Sequence, residues 1–211
     1  MSPASELTLF VDAAWVSPYA LSAFVALEEK GLPYALRELD LGKREHQAAS
    51  YRARTGRVPS LQHGDFVLAE SSAIAEYLED AFPPPQHPRL YPGDVQERAV
   101  ARELQAWLRS DLGALREERP TTTVFGAPAS TPLSPKAQAA AARLADAVGP
   151  LLAHGRATLF AQWCIADVDL ALMLQRLVRS KDPLPATLAA FAEAVWRRPS
   201  VAKWVQHPRR G

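Results

Sequence analysis

The sequence predicts a small α/β domain followed by an all-helical one, on three observations. Strand and helix signals alternate from Leu7 to Leu78, a proline-rich stretch interrupts them at 83–93, and every periodic segment after Asp94 has helical spacing. A chain of 211 residues is long enough for two such cores.

The elements follow in order. Leu7-Thr8-Leu9-Phe10-Val11 is a short apolar run suited to a strand. Ser17-Pro18 opens a helix in which Leu21, Phe24, Val25 and Leu27 recur at helical spacing until Gly31. Serine at an N-cap followed by proline is a strong start signal, because proline lacks only a donor that the first turn would leave orphaned. Tyr34 to Leu41 alternates as a half-buried strand, and the polar stretch Arg44–Arg54 is expected to be helical. Val58–Gln62 and Phe66–Leu68 read as two strands around the turn His63-Gly64-Asp65. Glu70-Ser71-Ser72 starts a helix with Ile74, Tyr77 and Leu78 on one face. The expected order is β-α-β-α-β-β-α, with a parallel pairing from the βαβ part and an antiparallel hairpin after it.

Pro83, Pro84, Pro85, Pro88 and Pro92 cannot continue a helix and mark a linker. The expected division is residues 1–82, a linker at 83–93 and a helical domain at 94–211. Helices are expected over Asp94–Glu118, Ser134–Ala153, Ile165–Val178 and Leu184–Trp196, with Pro120–Pro132 as a loop.

Composition narrows the function. Lys and Arg number 24 against 23 Asp and Glu, a formal charge of +1, whereas a dedicated nucleic-acid binder carries a basic excess. No apolar run reaches the length of a membrane helix, and MSPASELTLF has neither the basic start nor the apolar stretch of a signal peptide, so a cytoplasmic location is expected. The single cysteine, Cys164, excludes an internal disulfide and a multi-cysteine zinc site. His46, His63, His87, His154 and His207 are scattered without metal-ligand spacing, so no metal is expected.

Three local constellations suit a ligand. Ser17-Pro18-Tyr19 places a hydroxyl at a helix N-terminus, whose partial positive charge favours an anion such as a thiolate. A hydrogen bond to a charged group contributes about 1.5–3 kcal/mol, or roughly one to two pKa units, enough to ionise most of a thiol whose ordinary pKa of about 8.5 leaves it largely protonated at neutrality. The same serine also suits a plain cap. Val58-Pro59 is either an ordinary turn proline or, with a cis peptide, a backbone edge that a peptide-like ligand could pair with. Glu70 and Ser71 open a helix where a hydroxyl suits a carboxylate and Glu70 an ammonium, as an amino acid carries, or they form a helix cap with an acidic first turn.

In their order these motifs resemble the glutathione S-transferases, through Ser17-Pro18-Tyr19, Arg57-Val58-Pro59-Ser60-Leu61 and Glu70-Ser71-Ser72-Ala73-Ile74-Ala75-Glu76-Tyr77-Leu78. Trp107–Leu112, Arg116–Pro120 and Trp163–Asp167 resemble the bacterial YfcF-type members more closely. The resemblance covers Leu7 to about Trp204. It implies a thioredoxin-like domain joined to an all-helical domain, usually as a homodimer. Glutathione would lie along the first domain as co-substrate, and a hydrophobic electrophile or peroxide would enter a cleft shared with the second. By motif position Ser17 would hydrogen-bond the glutathione sulfur, the backbone of Val58 before a cis Pro59 would pair with the cysteinyl unit, and Glu70 and Ser71 would take the γ-glutamyl end. His46 and Arg57 are candidates for the glycine carboxylate, and each also reads as a solvated surface residue. Tyr19, Arg109, Asp111 and Arg116 are acceptor-site candidates, the last three also reading as an ion-pair network.

Departures from the family's patterns sharpen the expectation. Thiol-exchange relatives carry cysteine where this chain has Ser17, which nearly excludes that chemistry and favours conjugation or peroxide reduction by glutathione's own thiolate. The expected capping box reads Cys164-Ile165-Ala166-Asp167, making Cys164 a buried structural residue. The rival expectation is a non-catalytic protein of the same fold, used for interaction or stress response.

Overall fold

The computed structural model describes residues 7–51 and 53–209. The chain divides into two compact units, one made of the residues up to Leu90 together with those from Lys203 onward, the other Tyr91–Ala202. The division falls inside the proline-rich stretch, and the residues from Lys203 onward cluster with the first unit.

The first unit is a four-stranded sheet in the order β2-β1-β3-β4: β1 Leu7–Asp12, β2 Ala35–Leu39, β3 Ser60–His63 and β4 Phe66–Ala69. β1 pairs parallel with β2 and antiparallel with β3, and β3 pairs antiparallel with β4, as the expected βαβ and hairpin require. α1 (Pro18–Lys30) is capped by Ser17 and ends at Gly31, whose φ of 64° only glycine adopts freely. α2 (Ser71–Ala81) packs on α1 and on the β3–β4 hairpin. The buried side chains Leu9, Val11, Leu21, Val25, Leu61, Ile74 and Leu78 form this core.

Lys30 is 1% exposed and pairs with Glu79 at 2.6 Å, while its ammonium also donates to the Phe82 carbonyl at 2.9 Å. The same Glu79 oxygen accepts the N–H of Leu90 at 2.8 Å. One buried ion pair thus joins the ends of α1, α2 and the proline-rich stretch.

The helix expected over Arg44–Arg54 is absent. Only a single 3-10 turn forms, Glu45–Gln47, preceded by Arg44 at φ 58°; Arg52 lies outside the described residues. Of its described residues only Ala53 is buried, and most short helices are stable only when a whole apolar face is buried.

The second unit is helical. α3 (Val95–Ser110) begins at Asp94, whose carboxylate accepts the N–H groups of Gln96 and Glu97. The single helix expected over 94–118 is broken, since α4 (Gly113–Glu118) starts after Leu112 adopts φ 60°. Asp111 causes the break: its side chain accepts the Leu112 N–H at 2.6 Å, competing with the helical ladder. The expected loop 120–132 contains a short helix, α5 (Thr121–Phe125), which buries Val124 and stacks Phe125 on Trp196. It closes on Gly126, where a Cβ would meet the Thr122 carbonyl at 2.8 Å. α6 (Pro135–Leu152), α7 (Ile165–Ser180) and α8 (Ala186–Trp196) match the expected helices, and α9 (Pro199–Val205) was not anticipated. α7 is buried almost all round, packed by α3, α5 and α8, which explains its nearly continuous apolar sequence. Arg119, 1% exposed, donates twice to Asp182, at 2.7 and 2.8 Å. No helix among the described residues is long and apolar enough to cross a membrane.

Candidate active site

Strand register builds the site. Asp12, the last residue of β1, pairs with Leu39 at the end of β2; Phe10 pairs with Ser60 at the start of β3; Ser60 in turn pairs with Ala69 at the end of β4. The segments that leave β1, β2 and β4, and the one that enters β3, therefore share one end of the sheet. These segments carry Ser17, His46, Glu70 with Ser71, and Val58-Pro59. Neighbouring strands lie about 4.8 Å apart, so the run from β1 to β4 is about 10 Å, the span of an extended tripeptide.

Ser17 is half-buried and caps α1, its Oγ accepting the Ala20 N–H at 3.2 Å. Among the described residues no acceptor is assigned to its hydroxyl proton. Capping and donation therefore do not compete: the cap uses a lone pair, and an anion would use the hydrogen. Asp12, 2% exposed, holds the loop before it, accepting the N–H groups of Val16 at 2.8 Å and Ser17 at 3.2 Å. Burial raises the Asp12 carboxyl above the ordinary range, opposed by these two donors and by the charge of Arg209. The sequence reading did not single out Asp12; its signal was an acidic residue ending an otherwise apolar strand.

The Val58-Pro59 peptide is cis, with Val58 half-buried and Pro59 buried. Glu70 is exposed, adopts φ 73° and makes no side-chain cap to α2, so the plain-cap reading does not describe it. Ser71 is 3% exposed at the first position of that helix. His46 is half-buried, and its Nδ1 is enclosed with no hydrogen-bond partner among the described residues. Arg57 is exposed, and its carbonyl accepts the Tyr51 hydroxyl at 2.6 Å. Beside the Ser17 loop a hollow of about 380 Å³ is lined by Ala13, Ala14, Glu38, Asp40, Lys43 and Glu45, so an anionic group entering it meets one cation and three carboxylates.

The acceptor-site candidates scatter. Tyr19 is half-buried on α1. Arg109 donates to Asp169 at 2.9 Å, and Gln105 donates to the same oxygen at 2.6 Å. Asp111 takes the Trp107 indole N–H at 3.2 Å and pairs with Arg143 at 3.1 Å. Because the helix breaks at Leu112, Arg109 and Arg116 do not share one helical face. For Arg109 and Asp111 the ion-pair reading describes what the side chains do. A groove of about 820 Å³ in the second unit is walled by Leu133, Ala141, Ala145 and Pro183–Pro185, and none of these candidates lines it.

Cys164 is fully buried at the start of α7, and burial pushes its thiol well above the ordinary range, as a structural residue requires. Asp167 completes the box from inside, accepting the N–H groups of Cys164 and Leu159, both at 2.7 Å. Among the described residues no group of three or more His, Cys, Asp or Glu is placed to hold a metal ion.

Residues 13–86 match the family model for the glutathione S-transferase N-terminal domain, and residues 94–208 that for the C-terminal domain. A glutathione transferase homolog from Burkholderia, solved with bound glutathione, is 45% identical over 95% of this chain and 96% of that one, with a TM-score of 0.80. Glutathione transferase Omega 3C from Trametes versicolor is 25% identical over 98% of this chain and 91% of its own, with a TM-score of 0.73. Among curated proteins, human glutathione S-transferase theta-2 is 37% identical over 103 residues, covering 48% of this chain and 41% of that protein. Maleylpyruvate isomerase from Ralstonia is 35% identical over 107 residues, covering 50% and 49%. The aligned stretches span less than half the length of either curated relative.

Proposed function

Since the chain belongs to the glutathione S-transferase family, we propose that it binds glutathione along the sheet end described above and activates its thiol. The observation that carries this reading is Ser17: an N-cap whose oxygen is used by the helix and whose hydroxyl proton has no assigned acceptor among the described residues. Donated to the glutathione sulfur, that proton favours the thiolate. Val58 supplies backbone for the cysteinyl unit, Glu70 meets the γ-glutamyl ammonium and Ser71 its carboxylate. Half-buried His46 and exposed Arg57 are the two candidates for the glycine carboxylate.

Two reactions use the same nucleophile. In conjugation the thiolate sulfur forms a bond to an electrophilic carbon, the leaving group departs with the bonding pair, and the thiol proton goes to solvent. In peroxide reduction the sulfur attacks a peroxide oxygen and expels an alcohol; a second glutathione then resolves the sulfenic acid to the disulfide and water. Both draw on nucleophile activation and on holding two substrates together. A homodimer, a cytoplasmic location and the YfcF-type placement within the family belong to the same proposal, the last carried by Trp107–Leu112, Arg116–Pro120 and Trp163–Asp167.

Calorimetry of the purified protein with glutathione at neutral pH tests the reading, followed by turnover of halogenated aromatics and organic peroxides. Micromolar to low-millimolar binding with turnover is expected. No binding at several millimolar would overturn it in favour of a non-catalytic interaction protein.

A further inference from the structure

Far along the chain from Ser17, the C-terminal segment returns to the loop that carries it. The His207 ring stacks on the Trp15 indole, with centroids 3.5 Å apart and planes 10° from parallel. Trp204, fully buried, packs on Trp15 at 4.4 Å and on Phe24 at 5.4 Å. Arg209 donates from Nε to the Trp15 carbonyl at 3.3 Å, and its Nη1 and Nη2 hold the Val205 and Trp204 carbonyls at 2.9 and 3.2 Å. Lys203 pairs with Glu28 on α1.

Trp15 is the residue most in need of this support. It sits two residues before Ser17 at φ 55°, a region bulky side chains avoid unless their surroundings fix them there. Its N–H donates to the Asp12 carbonyl at 3.0 Å and its indole N–H to Glu38 at 2.7 Å. Arg209 takes the remaining backbone group, the carbonyl. Both peptide groups and the ring are therefore tied.

Charge gives the segment a second effect. Asp12 bonds the N–H of Ser17 at the start of α1, where a bound thiolate would lie. A carboxylate there opposes the anion that the helix N-terminus favours, and the Arg209 guanidinium, held on the carbonyl of Trp15, whose own N–H bonds the Asp12 carbonyl, offsets it. Among the described residues the charged and titratable groups around this loop include Asp12, Glu38 on β2, Asp40, Lys43 and Glu45 in the hollow beside Ala13 and Ala14, and His207 and Arg209 of the C-terminal segment.

We propose that Asp12 and Arg209 are positioning residues for Ser17: Asp12 fixes the serine's backbone, and Arg209 both locks Trp15 and balances the Asp12 charge. This assignment rests on Ser17 receiving the glutathione sulfur.

The test uses the full chain and three variants, Arg209→Met, Arg209→Lys and Asp12→Asn. The pKa of bound glutathione is read from thiolate ultraviolet absorbance against pH, together with kcat and KM for a halogenated dinitrobenzene and calorimetric glutathione affinity. Arg209→Met is expected to raise the bound thiol by about one pKa unit and to lower kcat several-fold at unchanged glutathione affinity, and Arg209→Lys to restore much of both. Asp12→Asn keeps an oxygen for the two N–H donors and is expected to move the thiol pKa down. A purely structural role does not produce shifts of opposite sign. If Arg209→Met fails to fold, Asp12→Asn still decides: a thiol pKa equal to or above that of the unsubstituted protein overturns the proposal. Shifts of the same sign, or none, in both variants also overturn it. An unsubstituted protein that binds no glutathione removes the functional reading and this assignment together. Normal binding with an unresponsive thiol removes this assignment alone.

Discussion

The backbone nitrogen of Ser17 lies 3.2 Å from each carboxylate oxygen of Asp12, so the N–H of the residue expected to serve the ligand is already committed to the protein. Pro18 has no N–H, and that of Ala20 is taken by the serine's own oxygen. These three positions leave the start of α1 poor in backbone donors, and the hydroxyl proton gains importance accordingly.

Ser17→Ala is expected to lower turnover roughly ten- to hundredfold, matching the about 1.5–3 kcal/mol of a hydrogen bond to a charged group, with glutathione affinity nearly unchanged. It should also cost about 0.5–2 kcal/mol of stability through the lost cap. Ser17→Asp separates the two effects: it restores the cap and stability but places a like charge beside the thiolate, so turnover should fall below that of the alanine variant. Denaturant unfolding and steady-state kinetics on both variants read the split. Unchanged turnover in Ser17→Ala would assign thiol activation to another group.

Glu70 holds an exposed carboxylate on a backbone at φ 73°. Glu70→Gly should therefore weaken glutathione binding by about 1–3 kcal/mol while raising the unfolding midpoint, because glycine adopts that conformation without strain. Calorimetry beside thermal unfolding measures both. Full affinity in this variant would move the γ-glutamyl end elsewhere.

Arg109→Ala should act on stability and not on the electrophile. It leaves Asp169, with a side chain only 10% exposed, served by Gln105 without its cation. The expected loss is about 1–3 kcal/mol, with KM for the electrophile within about twofold. A large rise in that KM at full stability would return Arg109 to an acceptor site.

Asp167 gives the pH dependence. Burial pushes its carboxyl up to about 6 from 3.8, against the two N–H donors that hold it down. The folded state thus keeps this proton more tightly than the unfolded chain, and stability slopes downward with pH wherever the folded state binds more protons. The contribution is complete below the unfolded value and is lost as pH rises through about 6. Asp167→Asn does not titrate and turns an NH2 toward one of two backbone donors, so it is less stable throughout. Its deficit relative to the unsubstituted protein should shrink by about 2 kcal/mol between pH 4 and 7, as denaturant midpoints at the two values would record. A constant deficit would refute the raised value.

Much of the fold is legible in the sequence because its signals are local. Ser17 and Pro18 start α1 and Gly31 ends it; Ser134 and Pro135 start α6; Gly64 and Asp65 turn the hairpin. The misreadings have local periodicity that tertiary context overrides. Arg44–Arg54 has helical composition but, among its described residues, buries only Ala53, whereas Thr121–Phe125 looks like a loop yet forms a helix around buried Val124. Helical spacing runs unbroken through Asp111, but its carboxylate captures the next N–H and ends the ladder.

The candidate site divides the same way. By itself the sequence singled out Ser17, Val58-Pro59 and Glu70-Ser71 as ligand-site candidates, because a cap, an X-Pro step and a helix start are written in adjacent positions; the glutathione roles came from the family resemblance, and the cis form of Val58-Pro59 from the structure. Only the tertiary structure decided that strand register gathers them at one end of the sheet, that Arg109 and Asp111 serve ion pairs, and that Arg209 closes on Trp15. That last contact joins residues 194 positions apart. No periodicity or motif spans such a separation; it arises only when folding brings the two segments together, and burial then makes each of their polar groups find a partner.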